Sequence, residues 1–214
     1  MNTELDHLVI VAPDLTSGAD YVERHLGVSP KSGGKHTQMG THNLLLSLGA
    51  KTYLEVIAID PEGEKPKRPR WFSLDSLGKN FDPHLAAWVT RVEDIQKASL
   101  GLESVIGNIS PMARDELRWL ITMTDDGSLP LGGAIPVLIE WQTLPYPASR
   151  LPASGCELLE FSIATPDVPR AERIIETLRF ENPPLLKTTL TSRVSLNAKI
   201  ETPNGIRFFP ERQE

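Results

Sequence analysis

The 214-residue chain holds a single cysteine, Cys156. That excludes an intrachain disulfide and any Cys-x-x-Cys pair, and it suits a reducing compartment. Cys156 follows Ser154-Gly155 and opens an apolar run with no nucleophile motif around it, so it reads as a small buried hydrophobe. Long hydrophobic runs are also missing. Leu8 to Val11 has the length of a strand, too short for a signal core or a membrane span, and the start Met1-Asn2-Thr3-Glu4-Leu5-Asp6 has no basic region. The expectation is a cytoplasmic protein that makes no membrane contact. Nor is there an excess of positive charge. Lys and Arg number 22 against 28 Asp and Glu, a net charge of −6, and they lie scattered among acids, so no nucleic-acid surface is expected. A phosphate-binding glycine loop, a nucleophile elbow and a His-Glu-x-x-His helix are all absent.

What is present is a repeat of order. Leu5 to Val11 reads as a strand, stopped by Pro13-Asp14, with Asp14 placed to cap a helix. Leu15, Ala19, Val22 and Leu26 recur at helical spacing, and Gly27 closes that helix. After a Gly33-Gly34 turn come extended pieces at Lys35 to Met39, Thr41 to Leu48 and Lys51 to Ile59. The proline-rich, charged stretch Pro61 to Pro69 is a linker, and Trp71, Phe72, Leu74 and Phe81 follow in a loop that packs back onto the core. The order then repeats: strand Leu85 to Val92, stop Glu93-Asp94, helix Ile95 to Ile106, and strands Ile109 to Ala113, Leu117 to Thr124 and Ile135 to Trp141. A third, shorter unit has a strand Leu158 to Ala164, a stop at Pro166-Asp167 and a helix Val168 to Leu178. Strands Leu185 to Leu190, Arg193 to Ile200 and Ile206 to Phe209 complete it, with an Asn204-Gly205 hairpin. One helix followed by three short strands, repeated, points to an α+β protein made of βαβββ modules.

Strand alternation sorts the ionisable residues onto faces. His7 shares a face with Val9 and Val11, Glu55 with Tyr53 and Ile57, and Glu140 with Leu138. A lone carboxylate in an apolar strand is costly to bury unless it is paired, protonated or bound to a cation. Two carboxylates and an imidazole make a sensible divalent-metal set for zinc, nickel, iron or manganese. The plainer alternative has Glu55 and Glu140 in salt bridges with Arg118 or Lys51 and His7 bonded to backbone. His36 and His42 flank the Met39-Gly40 turn at the same strand parity, so a hairpin there puts both rings on one side, where they either line a pocket or face solvent. Arg114 and Arg118, with Asn43 beside His42, could grip a ligand carboxylate or carbonyl, or else pair with Asp115, Glu116 or Glu140. His25 at a helix end and His84 in a loop read as structural. Trp88, Trp119 and Trp141 suit a core better than substrate stacking.

Asp6-His7-Leu8-Val9-Ile10-Val11-Ala12-Pro13-Asp14, Gly40-Thr41-His42-Asn43 and Tyr53-Leu54-Glu55 resemble the glyoxalase-like branch of the vicinal-oxygen-chelate superfamily. Pro111-Met112-Ala113-Arg114, Leu117-Arg118-Trp119 and Ile139-Glu140-Trp141 resemble its second half. The resemblance runs from Leu5 to Trp141. It implies a curved mixed sheet around a cup, with paired βαβββ modules in residues 4–146 (5–60 and 84–142); the repeat of order adds a third, shorter module in 147–214. It also implies metal ligands at His7, Glu55 and Glu140, while the fourth ligand position falls at Ala87, which cannot bind a metal. Water could complete a three-ligand site, His36 or His42 could supply the missing imidazole, Glu160 could join from the third unit, or the site could hold no metal.

By that resemblance the expected function is a divalent-metal-dependent lyase, isomerase or ring-cleaving dioxygenase acting on a small oxygenated substrate. Glu55 and Glu140 are its candidate catalytic groups, and His42, Asn43, Arg118 and Trp119 its substrate-binding ones. The rival expectation is a metal-free protein that sequesters a drug or metabolite. A small-molecule ligand and a homodimer are the partners implied.

Overall fold

The computed structural model describes residues 3–78 and 80–210. Twelve strands and four α-helices follow in chain order: β1 (Glu4–Val11), α1 (Leu15–Leu26), β2 (Lys31–His36), β3 (Thr41–Ser47), β4 (Tyr53–Ile59), β5 (His84–Arg91), α2 (Ile95–Ser99), α3 (Glu103–Ile106) and β6 (Asn108–Arg114). Next come β7 (Leu117–Met123), β8 (Val137–Trp141), β9 (Glu157–Thr165), α4 (Val168–Leu178), β10 (Leu185–Thr188), β11 (Ser195–Thr202) and β12 (Gly205–Phe209). Among the described residues no helix is long and apolar enough to cross a membrane.

The three aspartates aligned in the sequence do the same job. Asp14, Asp94 and Asp167 each accept the backbone N–H three residues on, at 2.8, 3.0 and 3.1 Å, and so start α1, α2 and α4. Gly27, at φ 71°, ends α1 in the left-handed conformation that a side chain resists. The expected helix Ile95 to Ile106 is broken in two, because Leu100 leaves the helical region and Gly101 takes φ 79°.

Eight strands form one mixed sheet in the order β2-β3-β4-β1-β5-β8-β7-β6. Each of the first two units closes on itself through a parallel pair, β1 with β4 and β5 with β8, and the units join through antiparallel β1 and β5. The sheet curls into a half-barrel whose edge strands, β2 and β6, approach each other. The third unit repeats the element order but not the wiring. Its post-helix strand β10 pairs directly with β9, giving a separate sheet β10-β9-β11-β12.

Alternation along the strands makes two cores. Leu8, Ile10, Leu54, Val56, Trp88 and Leu138 pack outward with α1, α2 and α4 and with Phe161, Ile163, Leu196 and Ile200 of the second sheet. Val9, Val11, Ile57, Val89, Ile121 and Ile139 fill the inside of the cup. The strap between β4 and β5 folds over this inner core with Trp71, Phe72 and Leu74, as its aromatic content predicts.

Candidate functional site

The parallel pairing of β1 and β4 sets His7 opposite Tyr53, and the rings stack with centroids 4.6 Å apart. Glu55 lies two residues on, on the same face, with Oε2 3.3 Å from His7 Nε2. The other imidazole nitrogen, Nδ1, lies 2.7 Å from Asp6 Oδ1. Asp6 should point away from its neighbour by simple alternation. It does not, because the β1–β5 register slips between Leu5 and His7, and the bulge turns Asp6 back towards the ring. Fully buried, Asp6 also accepts Arg91 Nη1 at 2.8 Å and Trp141 Nε1 at 3.0 Å.

A second imidazole comes from the end of β2. His36 pairs with Thr41, and its Nδ1 lies 3.1 Å from Thr41 Oγ1. Arg114 Nη1 donates to His36 Nε2 at 3.2 Å and to Asn43 Oδ1 at 3.3 Å, while Asn43 Nδ2 donates to Glu55 Oε1. With Nε2 accepting, the Nδ1–H of a neutral ring is directed at Thr41. The Gly33-Gly34 pair, expected as a turn, lies inside β2 for a packing reason. A Cβ at Gly33 would stand 2.1 Å from Asn43 Oδ1, and one at Gly34 would stand 2.8 Å from Arg114 Cδ. These missing side chains are the space that Asn43 and Arg114 occupy.

Charge is divided unevenly among these groups. Burial works against a protonated His7, yet the hydrogen bonds to Asp6 and Glu55 outweigh it and raise the pKa to about 9. For Glu55, burial favours the neutral acid, but His7, His36 and Asn43 hold the carboxyl at about 2. His36 is pushed down to about 4, first by burial and then by the Arg114 charge against the pull of Glu55. At neutral pH the cup thus contains an imidazolium–carboxylate pair beside a neutral imidazole and a guanidinium. Trp71, Phe72, Trp119, Ile121, Ile139 and Trp141 complete the wall of a cavity of about 30 Å³, room for one or two waters. A far larger groove of about 720 Å³ lies between the two sheets, away from these groups.

Of the residues singled out in the sequence, His7, His36, Asn43, Glu55, Arg114, Trp119 and Trp141 meet at this cavity. Glu140 does not. Val137, Ile139 and Trp141 take the inner face of β8, so Glu140 turns to the helix side, where Oε2 accepts the Ile95 N–H at 2.8 Å and starts α2. Arg118 alternates with Leu117 and Trp119 and folds outward onto the carbonyls of Asp115 and Leu117, at 2.6 and 2.8 Å. His42 neighbours Asn43 and therefore faces the other way, with Nδ1 4.0 Å from Asp60 Oδ1. The two histidines do not share a face, because the β2–β3 register sets His36 against Thr41 and His42 against Lys35. Glu160 is exposed on the second sheet near Lys187. Trp71 and Phe72 join through the expected return of the strap, Tyr53 through the face it shares with Glu55, and Asp6 through the bulge, which alternation does not signal.

A half-barrel of two βαβββ units with its polar groups on β1 and β4 agrees with one family model, the glyoxalase-like domain, which matches residues 5–178. The chain belongs to the glyoxalase-like domain family. That family falls within the vicinal-oxygen-chelate superfamily, and the curled mixed sheet is consistent with it. A hypothetical protein from Staphylococcus aureus matches in structure with a TM-score of 0.60 over 98% of this chain and 100% of its own, at 12% identity. Methylmalonyl-CoA epimerase from Mycobacterium tuberculosis gives 0.42 at 18% identity over 66% of this chain and 88% of its own. A Streptomyces coelicolor methylmalonyl-CoA epimerase variant in complex with 2-nitronate-propionyl-CoA gives 0.45 at 16% over 69% and 100%. At such identities the likeness is one of fold. No curated protein matches the chain in sequence.

Members of this superfamily often bind a divalent metal, but the residues of this glyoxalase-like cup do not fit one. Among the described residues no three His, Cys, Asp or Glu groups are arranged to hold a metal ion. Both nitrogens of His7 face carboxylates, the Nε2 lone pair of His36 is taken by Arg114, and Glu140 lies beyond the sheet. The second unit lines the cavity with Trp119, Ile121, Ile139 and Trp141 and contributes a fixed cation, Arg114.

Proposed function

We propose that this glyoxalase-like protein binds a small polar organic molecule directly in the cup, without a divalent metal, as a metabolite-sequestering member of its superfamily. The observation that carries this reading is the convergence of His7, His36, Asn43, Glu55 and Arg114 on one aromatic-walled cavity beneath the Trp71–Phe72 strap. A buried polar network is costly unless its members are satisfied, and a few polar groups converging on an apolar-walled pocket are the usual mark of a ligand site. The cavity as it stands is too small for an organic ligand, so binding requires its wall to give way.

Magnitudes favour holding over proton transfer. A general base works best with a pKa near the working pH. Glu55 at about 2 and His7 at about 9 both stand well away from neutrality. The reading as a metal-dependent lyase, isomerase or dioxygenase lacks its third ligand, since Glu140 caps a helix. A metal-free isomerase is the second reading, favoured by one observation: His7 and Glu55 put opposite charges 3.3 Å apart on the cavity wall.

The test is elemental analysis of untagged protein after incubation with zinc, nickel, manganese and iron salts, beside His7→Ala and Glu55→Ala. Metal well below one equivalent is expected, with no difference among the three proteins. Stoichiometric metal that both variants lose would overturn the proposal.

A further inference from the structure

We infer that the ligand of the cup is a small 2-hydroxy carboxylate, its carboxylate held by Arg114 and the Trp71 N–H and its hydroxyl donated to Glu55. The inference rests on the cup being a ligand site, and it starts from a buried cation without a carboxylate partner and from one unmet donor. Arg114 is 9% exposed, yet its guanidinium spends one nitrogen, Nη1, on two uncharged acceptors, His36 Nε2 and Asn43 Oδ1. Among the described residues it has no ion pair with any carboxylate. Each carboxylate near it is committed elsewhere, Glu55 to His7 and Asn43, Asp6 to His7, Arg91 and Trp141. A buried cation of this kind is costly without a counter-charge. The unmet donor is the Trp71 indole N–H, which is buried with no acceptor although the residue lines the same cavity.

A guanidinium with no carboxylate partner and an unmet indole N–H, on two residues that line one cavity, suit an acceptor with two oxygens. A carboxylate matches the planar guanidinium fork in bidentate fashion. The ligand's other end is set by Glu55, which is ionised and can only accept. A second carboxylate there would be repelled, whereas a hydroxyl would be bound. Asn43 fixes the spacing. Its amide receives Arg114 at one end and gives to Glu55 at the other, so the anion and hydroxyl positions are one side-chain amide apart. Groups on adjacent carbons span that gap. A cavity of about 30 Å³ has to open for any organic ligand, and a short acid asks for the least opening.

The experiment is isothermal titration of the full chain at pH 7.5 in EDTA with glycolate, lactate, acetate, 1,2-propanediol and inorganic phosphate. It compares the natural protein with Arg114→Met, Arg114→Lys and Trp71→Phe, with unfolding midpoints recorded for each. Glycolate or lactate should bind most tightly. Charge-assisted bonds of ordinary strength predict a loss of about 10- to 100-fold in Arg114→Met, and one neutral bond predicts about 3- to 10-fold in Trp71→Phe, which keeps the ring. Arg114→Lys should fall between them. Propanediol binding as well as lactate, or Arg114→Met binding lactate unchanged, would overturn the inference and leave the cup as a site for neutral ligands. Phosphate binding as tightly as lactate would overturn the hydroxy-acid class in favour of a plain oxyanion. Failure of all five probes would overturn it and count against the cup as a small-molecule site as well.

Discussion

Replacing Glu55 by Gln removes one of the two carboxylates that keep His7 protonated while leaving the volume nearly unchanged. The folded pKa of His7 is about 9 against an ordinary 6.5, so the folded state binds the proton more tightly than the unfolded chain. A group raised in this way stabilises the fold fully below pH 6.5 and loses that contribution as the pH climbs through 9. At pH 7 these two values correspond to about 2–3 kcal/mol. Asp6 stays on Nδ1 in the variant, so the share that depends on Glu55 is expected to be about 1–2 kcal/mol, or about 2–8 °C in midpoint for a chain of this size. Urea denaturation of both proteins from pH 6 to pH 10 measures it. The gap should be widest at the acid end of that range, narrow as the pH rises, and close above about pH 9.5 as His7 deprotonates in the natural protein. A gap that stays constant across that range, or none at pH 7, would refute the assignment of a charged His7 held by Glu55.

Glu140→Ala deprives the first N–H of α2 of its acceptor and should cost about 1 kcal/mol while leaving ligand titrations unaltered, the reverse of what a cup residue would show. Gly34→Ala forces the Arg114 side chain out of its channel, so ligand affinity should fall by about tenfold with less than about 1 kcal/mol lost in stability. Cys156 is 5% exposed and burial pushes its thiol up, so it should resist a thiol reagent at neutral pH until denaturant is added; rapid labelling of the folded chain would contradict its burial.

Helices with an aspartate at one end and a clean apolar stripe were legible to the residue, as Leu15–Leu26 and Val168–Leu178 show. The break after Ser99 was not, because the apolar positions continue at helical spacing on both sides of Gly101. Nor was the wiring of the third unit: a run of strand, helix and three strands does not say which strand returns to pair with the first. The same limit governs the site. Alternation puts Glu140 opposite Ile139 and Trp141, but β8 is apolar on both faces, so nothing in its pattern marks which face is inside. On β1 and β4 the structure turns His7 and Glu55 to the cup, where they meet. Asp6 was hidden by a bulge, which alternation cannot foresee. Arg114 was visible as a candidate beside Arg118, and only the pairing of Arg114 with Leu117 in the β6–β7 hairpin separates the two.

The curl of the large sheet also decides how the chain avoids sticking to others. An open eight-stranded sheet ends in two rows of unpaired amides, ready templates for another strand. Here those two borders, β2 and β6, turn towards each other, and Ala113 N–H is met at 2.9 Å by Gln38 Oε1. β6 also carries Pro111, which has no N–H to offer, and β2 carries two glycines with little propensity for adding a neighbour. The smaller sheet ends in β10 and β12, of four and five residues, too short to nucleate long pairing. Closing the cup around its polar groups therefore also conceals the edges from which aggregation would start.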